Sequence, residues 1–173
     1  MAKTYNTIST FTSGQILTAT QMNGIGTNVN NYRVPPICRV KRSGNLNYTG
    51  GTDIAWNAED YDTDSMHDNS TNNARITVTT AGVYLLTMSI NLTFTGTLTR
   101  CSPFFMIDGT TFTGETQYLM SATTAYYVHH TSQLVLTSSN YVTARMTIGG
   151  ATSPIIVDDA STWLQATWLG QVS

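Results

Sequence analysis

From residue 37 onward the apolar positions recur with a period of two. The clearest run is Val83 to Phe94: Tyr84, Leu86, Met88, Ile90, Leu92 and Phe94 share one face, and Val83, Leu85, Thr87, Ser89, Asn91 and Thr93 the other. Large apolar residues in that register describe a strand with one face in a core. Arg75–Thr79 precedes it across an Ala81-Gly82 turn. Further strands are predicted at Ile37–Lys41, Asp53–Trp56, Phe104–Ile107, Thr111–Met120, Ala125–Leu136, Tyr141–Ile148 and Thr162–Leu169. Asp108-Gly109 is a hairpin signal of the primed-turn kind. Strands at this spacing, with no helical stretch between them, predict an all-β antiparallel sandwich over residues 36–173.

Residues 1–35 follow another rule. Met22, Ile25, Val29 and Tyr32 are spaced by three and four, one apolar stripe on a short helix that Thr18 or Thr20 can cap. Gly24 and Gly26 weaken that helix by about 1 kcal/mol each relative to alanine. Such a helix needs something to dock on, and Pro35-Pro36 ends it. The chain therefore divides into an N-terminal arm, 1–35, and a β body, 36–173.

Composition narrows the function. Charged residues make up 10% of the chain, against about a quarter in ordinary soluble domains. A net charge of −2 gives no basic face for nucleic acid. No apolar run is long enough to span a membrane, and Met1–Asn6 lacks the apolar segment of an export signal. Cys38 and Cys101 are expected as reduced, buried thiols. Val83 and Leu85 on the outer face of the central strand, with Val135 out of phase with Leu134 and Leu136, predict that this face is covered. With no helix available in the body, the cover is another copy of the chain.

Candidate chemistry is sparse. Asp60, Asp62 and Asp64 alternate like the start of a calcium loop, yet Ser65 stands where glycine is wanted and Thr71 where a closing glutamate belongs. The run from Glu59 to Asp68 reads better as a loop hydrogen-bonding its own backbone, with those three aspartates the weak metal candidates. His129 and His130 point to opposite faces of a strand and cannot chelate together. Glu115 and a loop aspartate are the only carboxylates that suggest glycoside hydrolysis. No catalytic residue, cofactor or enzyme activity is expected.

The body resembles the trimeric jelly-roll domains of the complement globular heads and the tumour necrosis factor family. The residues that carry this are Ile54-Ala55-Trp56-Asn57, Tyr61-Asp62-Thr63, Arg75-Ile76-Thr77-Val78, Ala81-Gly82-Val83-Tyr84 and Ser161-Thr162-Trp163-Leu164-Gln165-Ala166. Ser139-Asn140-Tyr141-Val142 departs from the Gly-Asp that family places before the valine, and its calcium and receptor residues have no counterpart here. Phe11 to Asn23, through Gly14-Gln15-Ile16-Leu17-Thr18-Ala19, is similar to the leader of tailed-bacteriophage structural proteins. Together the two resemblances imply a virion component. It would be a homotrimer projecting outward as a head decoration, fibre or tail-associated domain, with residues 1–35 held by another capsid or tail protein. A tip that binds a host receptor or glycan is the alternative, and a polysaccharide hydrolase ranks below it.

Overall fold

A computed structural model of the chain describes residues 2–8, 10–122 and 125–172. Its elements are helix α1 (Ala19–Arg33) and strands β1 (Ile37–Lys41), β2 (Leu46–Asn47), β3 (Ala58–Asp62), β4 (Arg75–Thr77), β5 (Gly82–Ile107), β6 (Thr111–Glu115), β7 (Tyr118–Ala122), β8 (Ala125–Leu136), β9 (Tyr141–Ile156) and β10 (Trp163–Gly170).

The sandwich is organised around β5. Its first half lies between β10 and β8, in the order β3-β1-β10-β5-β8. After an irregular stretch at Gly96–Arg100 its second half pairs with β9, β6 and β7, and β4 lies on the far side of β9. Hydrogen bonding is continuous, yet the two halves form two layers that face each other. Tyr84, Leu86, Met88, Ile90 and Leu92 from the first half meet Leu98, Cys101 and Phe105 from the second in one core with Trp56, Val142, Ala144, Met146 and Leu164. Alternation thus located the central core face correctly.

Several predicted elements change. Phe104–Ile107 is the far end of β5, because the chain crosses between layers without leaving the ladder. Thr111–Met120 divides into β6 and β7. Asp53–Trp56 is extended but belongs to no ladder; Ile54 and Trp56 are buried, and their N–H groups donate to Ala144 and Asn73 carbonyls. Conversely, Ala58–Asp62 is the edge strand β3, paired with β1. The Asp108-Gly109 turn has positive φ at both residues, 52° and 70°, as a primed hairpin requires.

Thr18 caps α1: its Oγ1 accepts from Gln21 N while Gln21 Oε1 accepts from Thr18 N, a reciprocal capping box. The helix meets the body at one end of its apolar stripe, where the Tyr32 ring lies 5.7 Å from that of Trp168. It is held through residues 3–6, whose Tyr5 ring stacks on Trp168 at 4.8 Å.

Candidate functional site

The first half of β5 builds a flat outward face with its two neighbours. Cross-strand register sets Trp163, Ser89 and His129 in one row, then Gln165, Thr87 and Thr131, then Thr167, Leu85 and Gln133, with Val83 beside Val135 at the end. No Asp, Glu, Lys or Arg occupies these positions. Charge begins only at β1 and β3, where Asp60 pairs with Arg39 at 3.3 Å and with Lys41. The Arg39 guanidinium lies 4.4 Å from the centre of the Trp163 ring, which forms the boundary of the uncharged area. Val135 is 62% exposed, a high value for a valine on a central layer.

Each end of this face is tied down by hydrogen bonds. At one end Asn91 Nδ2 donates to Asp159 Oδ2 (2.5 Å) and to the Tyr127 hydroxyl (3.3 Å), and Asn91 N donates to Thr162 Oγ1 (3.1 Å). Burial opposes ionisation of Asp159, but hydrogen bonds from Ser161, Asn91 and Thr162 outweigh it and lower its pKa. At the other end, the base, Trp168 Nε1 donates to Ala81 O (3.1 Å) and the Tyr84 hydroxyl to Thr80 O (2.6 Å). A Cβ on Gly82 would lie 2.1 Å from Trp168 Nε1 and 2.4 Å from Gly170 O, so only glycine lets β5 start there. Beside it is an open groove of about 370 Å³ lined by Ala81, Gly82, Val135, Leu136, Thr137, Gln171 and Val172.

No family model matches this chain, and no curated protein does. Solved structures do. The globular domain of zebrafish complement 1qA protein superposes with a TM-score of 0.61 at 12% identity, covering 80% of this chain and 100% of that one. Eiger TNF from S. frugiperda gives 0.60 at 14% identity over 80% of this chain and 96% of its own. Murine APRIL at pH 5.0 gives 0.58 at 12%, over 78% and 98%. The chain has the C1q/TNF-like jelly-roll fold. At such identities the likeness is one of fold.

The remaining candidate residues sit elsewhere on the jelly roll. Asp60, Asp62 and Asp64 do not converge. Asp60 faces Arg39 and Lys41. Asp62 accepts from the N–H groups of Asp64, Met66 and His67 at 3.0, 2.6 and 2.9 Å. Asp64 is fully buried and accepts from the hydroxyls of Thr79 and Thr80. Each carboxylate is spent on its own partners, and among the described residues no three metal-ligating side chains cluster. The rest of the run does cap itself: Asp68 accepts from Ser70 N and Thr71 N, which lowers its pKa to about 2. His67 is buried, with Nδ1 3.0 Å from Glu59 Oε1 and Nε2 3.2 Å from Asn73 O.

Glu115 lies exposed on β6, in the opposite layer from β3, so no carboxylate pair forms with the acidic loop. His129 is exposed and His130 buried against Phe105, as strand alternation requires. Cys38 and Cys101 are both buried and unpaired; burial raises both thiols, Cys101 to about 12. Met22, Val29 and Tyr32 are each more than half exposed, while Ile25 is half-buried.

Gln165 and Thr167 are half-buried on the face, and Ser89 and Asn91, on the same side of β5, are already buried within the chain; none of the four has an apolar signal in sequence. Period-two counting from Val83 reaches Ser89 and Asn91. The β10 residues join the face only because β10 pairs with β5, Gln165 with Thr87 and Thr167 with Leu85, across a stretch of chain that local pattern cannot see.

Proposed function

We propose that the protein is a non-catalytic structural component of a phage virion, three copies of which meet through the β10–β5–β8 face. In this reading the jelly roll projects from the particle, and residues 1–35 hold it to a neighbouring capsid or tail protein. The uncharged face carries the proposal. In a chain already poor in charge, an area without Asp, Glu, Lys or Arg, bordered by the Arg39–Asp60–Lys41 cluster, has the anatomy of an interface with a polar rim. C1q/TNF-like domains usually form homotrimers and serve as binding modules without catalysis. The particle assignment rests on the leader resemblance of Phe11 to Asn23.

Light scattering on the purified chain tests the assembly: a mass about threefold above 18.9 kDa is expected. A monomer at micromolar concentration would overturn it. Leu85→Asp should return the mass to the monomer while leaving the β-sheet circular dichroism unchanged, because Leu85 faces out of the core. Imaging of particles with an antibody to the body tests the location.

A second reading, a receptor- or glycan-binding tip, is favoured by Phe112 and Leu119, 51% and 75% exposed on β6 and β7 in the opposite layer. Saturable binding to host cells, lost in Leu119→Asp, would separate the tip from simple decoration.

A further inference from the structure

Arg75 opens the edge strand β4, and its side chain is used unlike those of Arg39, Arg42 and Arg145. Arg39 pairs with Asp60, Arg42 donates to the Gly44 and Ala55 carbonyls, and Arg145 pairs with Asp53. Arg75 makes no ion pair and no side-chain hydrogen bond among the described residues. Its half-buried guanidinium sits instead over the Tyr141 ring, 5.0 Å from the ring centre. Tyr141 is itself anchored, its N–H donating to Asp108 Oδ1 at 2.8 Å. An aromatic ring thus orients five N–H donors for which the chain supplies no acceptor.

Arg75 forms one wall of an open hollow of about 200 Å³, where the loop leaving β3 meets β4. The walls are tied together: Thr77 N donates to Met66 O (2.7 Å) and Arg75 N to Asn72 O (3.1 Å). Ser65, Thr71 and Asn72 line it with hydroxyls and an amide. Two further ionisable residues, His67 and Asp68, border it. His67 is already taken up by Glu59 and the Asn73 carbonyl. Asp68 Oδ1 accepts from Thr71 N, Ser70 N and Ser70 Oγ, and no hydrogen bond reaches Oδ2 among the described residues. Those bonds lower its pKa to about 2, so it stays ionised. The hollow therefore holds one cation and one anion, each with unused hydrogen-bonding capacity, set among hydroxyls.

We propose that this hollow is a binding site for an acidic sugar unit, one pyranose ring that carries a carboxylate. The Arg75 fork takes the carboxylate through parallel N–H···O bonds, and Asp68 Oδ2 accepts from ring hydroxyls. Its volume is below the roughly 300 Å³ at which pockets for drug-sized ligands begin, which suits a single ring. A phosphate group matches the same fork, but it brings about −1.5 to −2 charges next to Asp68. A carboxylate brings one. A neutral sugar would leave the guanidinium unpaired under the ligand. The site goes beyond both readings above and lies apart from Phe112 and Leu119. None of its lining residues belongs to β10, β5 or β8, so it stands or falls independently of self-association.

Saturation-transfer NMR on the full chain, with sodium glucuronate as the ligand, tests this. A saturable signal is expected, and glucose or acetate should bind about tenfold more weakly or worse. Arg75→Lys keeps the charge but loses the fork, and should weaken glucuronate by about tenfold while circular dichroism stays unchanged. Asp68→Asn keeps an acceptor for the turn and removes the anion, so inorganic phosphate should displace glucuronate from this variant and not from the wild type. No signal from glucuronate overturns the site. An equal response to glucose overturns it too, as does undiminished binding in a folded Arg75→Lys chain. Acetate binding as tightly as glucuronate, or phosphate displacing it equally from wild type and Asp68→Asn, would leave a plain anion pocket and sink the sugar. Tighter competition by an acetylated glutamate peptide would give the hollow to an acidic protein segment instead.

Discussion

Strand β5 and helix α1 carry similar apolar stripes and use them in opposite ways. In β5 the stripe from Tyr84 to Leu92 is wholly buried between two layers of its own chain. In α1 Met22, Val29 and Tyr32 are each more than half exposed, while Asn28 and Asn31 bond the extended arm segment at Asn6 and Thr4. Periodicity therefore reports that a face is apolar, while the cover comes from whatever the rest of the chain can reach. The body supplies a second layer for β5. Thr4 and Asn6 take up the amides of α1, and Tyr5 and Trp168 take up Tyr32.

The largest test of this contrast is at the junction of the two regions. Gly82→Ala puts a Cβ into the Trp168 indole and the Gly170 carbonyl. It should cost about 3 kcal/mol or more, because the neighbours are backbone and a ring already packed on both sides. Chemical denaturation would register it, and a wild-type midpoint would refute the packing described for the base. Next, Leu86→Ala and Val29→Ala compare the two stripes directly. The first should cost about 2–5 kcal/mol of body stability. The second should leave the unfolding midpoint of the body unchanged within about 0.5 kcal/mol. Similar losses for both would mean that the α1 stripe is already buried in the isolated chain.

A smaller effect is expected from pH. His130 lies beside Phe105, with Thr116 Oγ1 2.8 Å from Nδ1 and no hydrogen-bond partner for Nε2 among the described residues. Burial lowers its pKa from the ordinary 6.5. The folded state therefore prefers the neutral ring. Stability is full above the unfolded value of 6.5 and is lost as pH falls through the lower folded one. Melting temperatures at pH 7.5 and 5.5 should differ less in His130→Gln than in the wild type; an equal difference would place the acid sensitivity elsewhere. Smallest of all, Thr18→Ala removes the reciprocal cap of α1. It should lower helix stability by about 1 kcal/mol, seen as faster amide exchange in α1 with the body unaffected.

How far these features were legible in the sequence depends on how local their causes are. The bounds of β1 and β8 follow from alternation, the Asp108-Gly109 hairpin from turn chemistry, and the cap of α1 from Thr18 and Gln21, three residues apart. Edge strand β3 was hidden because Glu59, Asp60 and Asp62 look like loop residues; their ladder is supplied by β1, twenty residues away. The three aspartates looked like one cluster because they are close in sequence. Folding separates them, since the register shift that leaves Asp60 out of the β1–β3 pairing and the turn at Ser65 send each to different partners.

By itself the sequence determined the class of fold, the core face of the central strand and a shortage of charge. Those depend on side-chain period and composition, which are properties of short stretches. Tertiary structure alone decided which strands share the uncharged face and which residues of α1 meet Tyr5 and Trp168. Both depend on pairings between distant segments, and a local pattern holds no record of the partner it will meet.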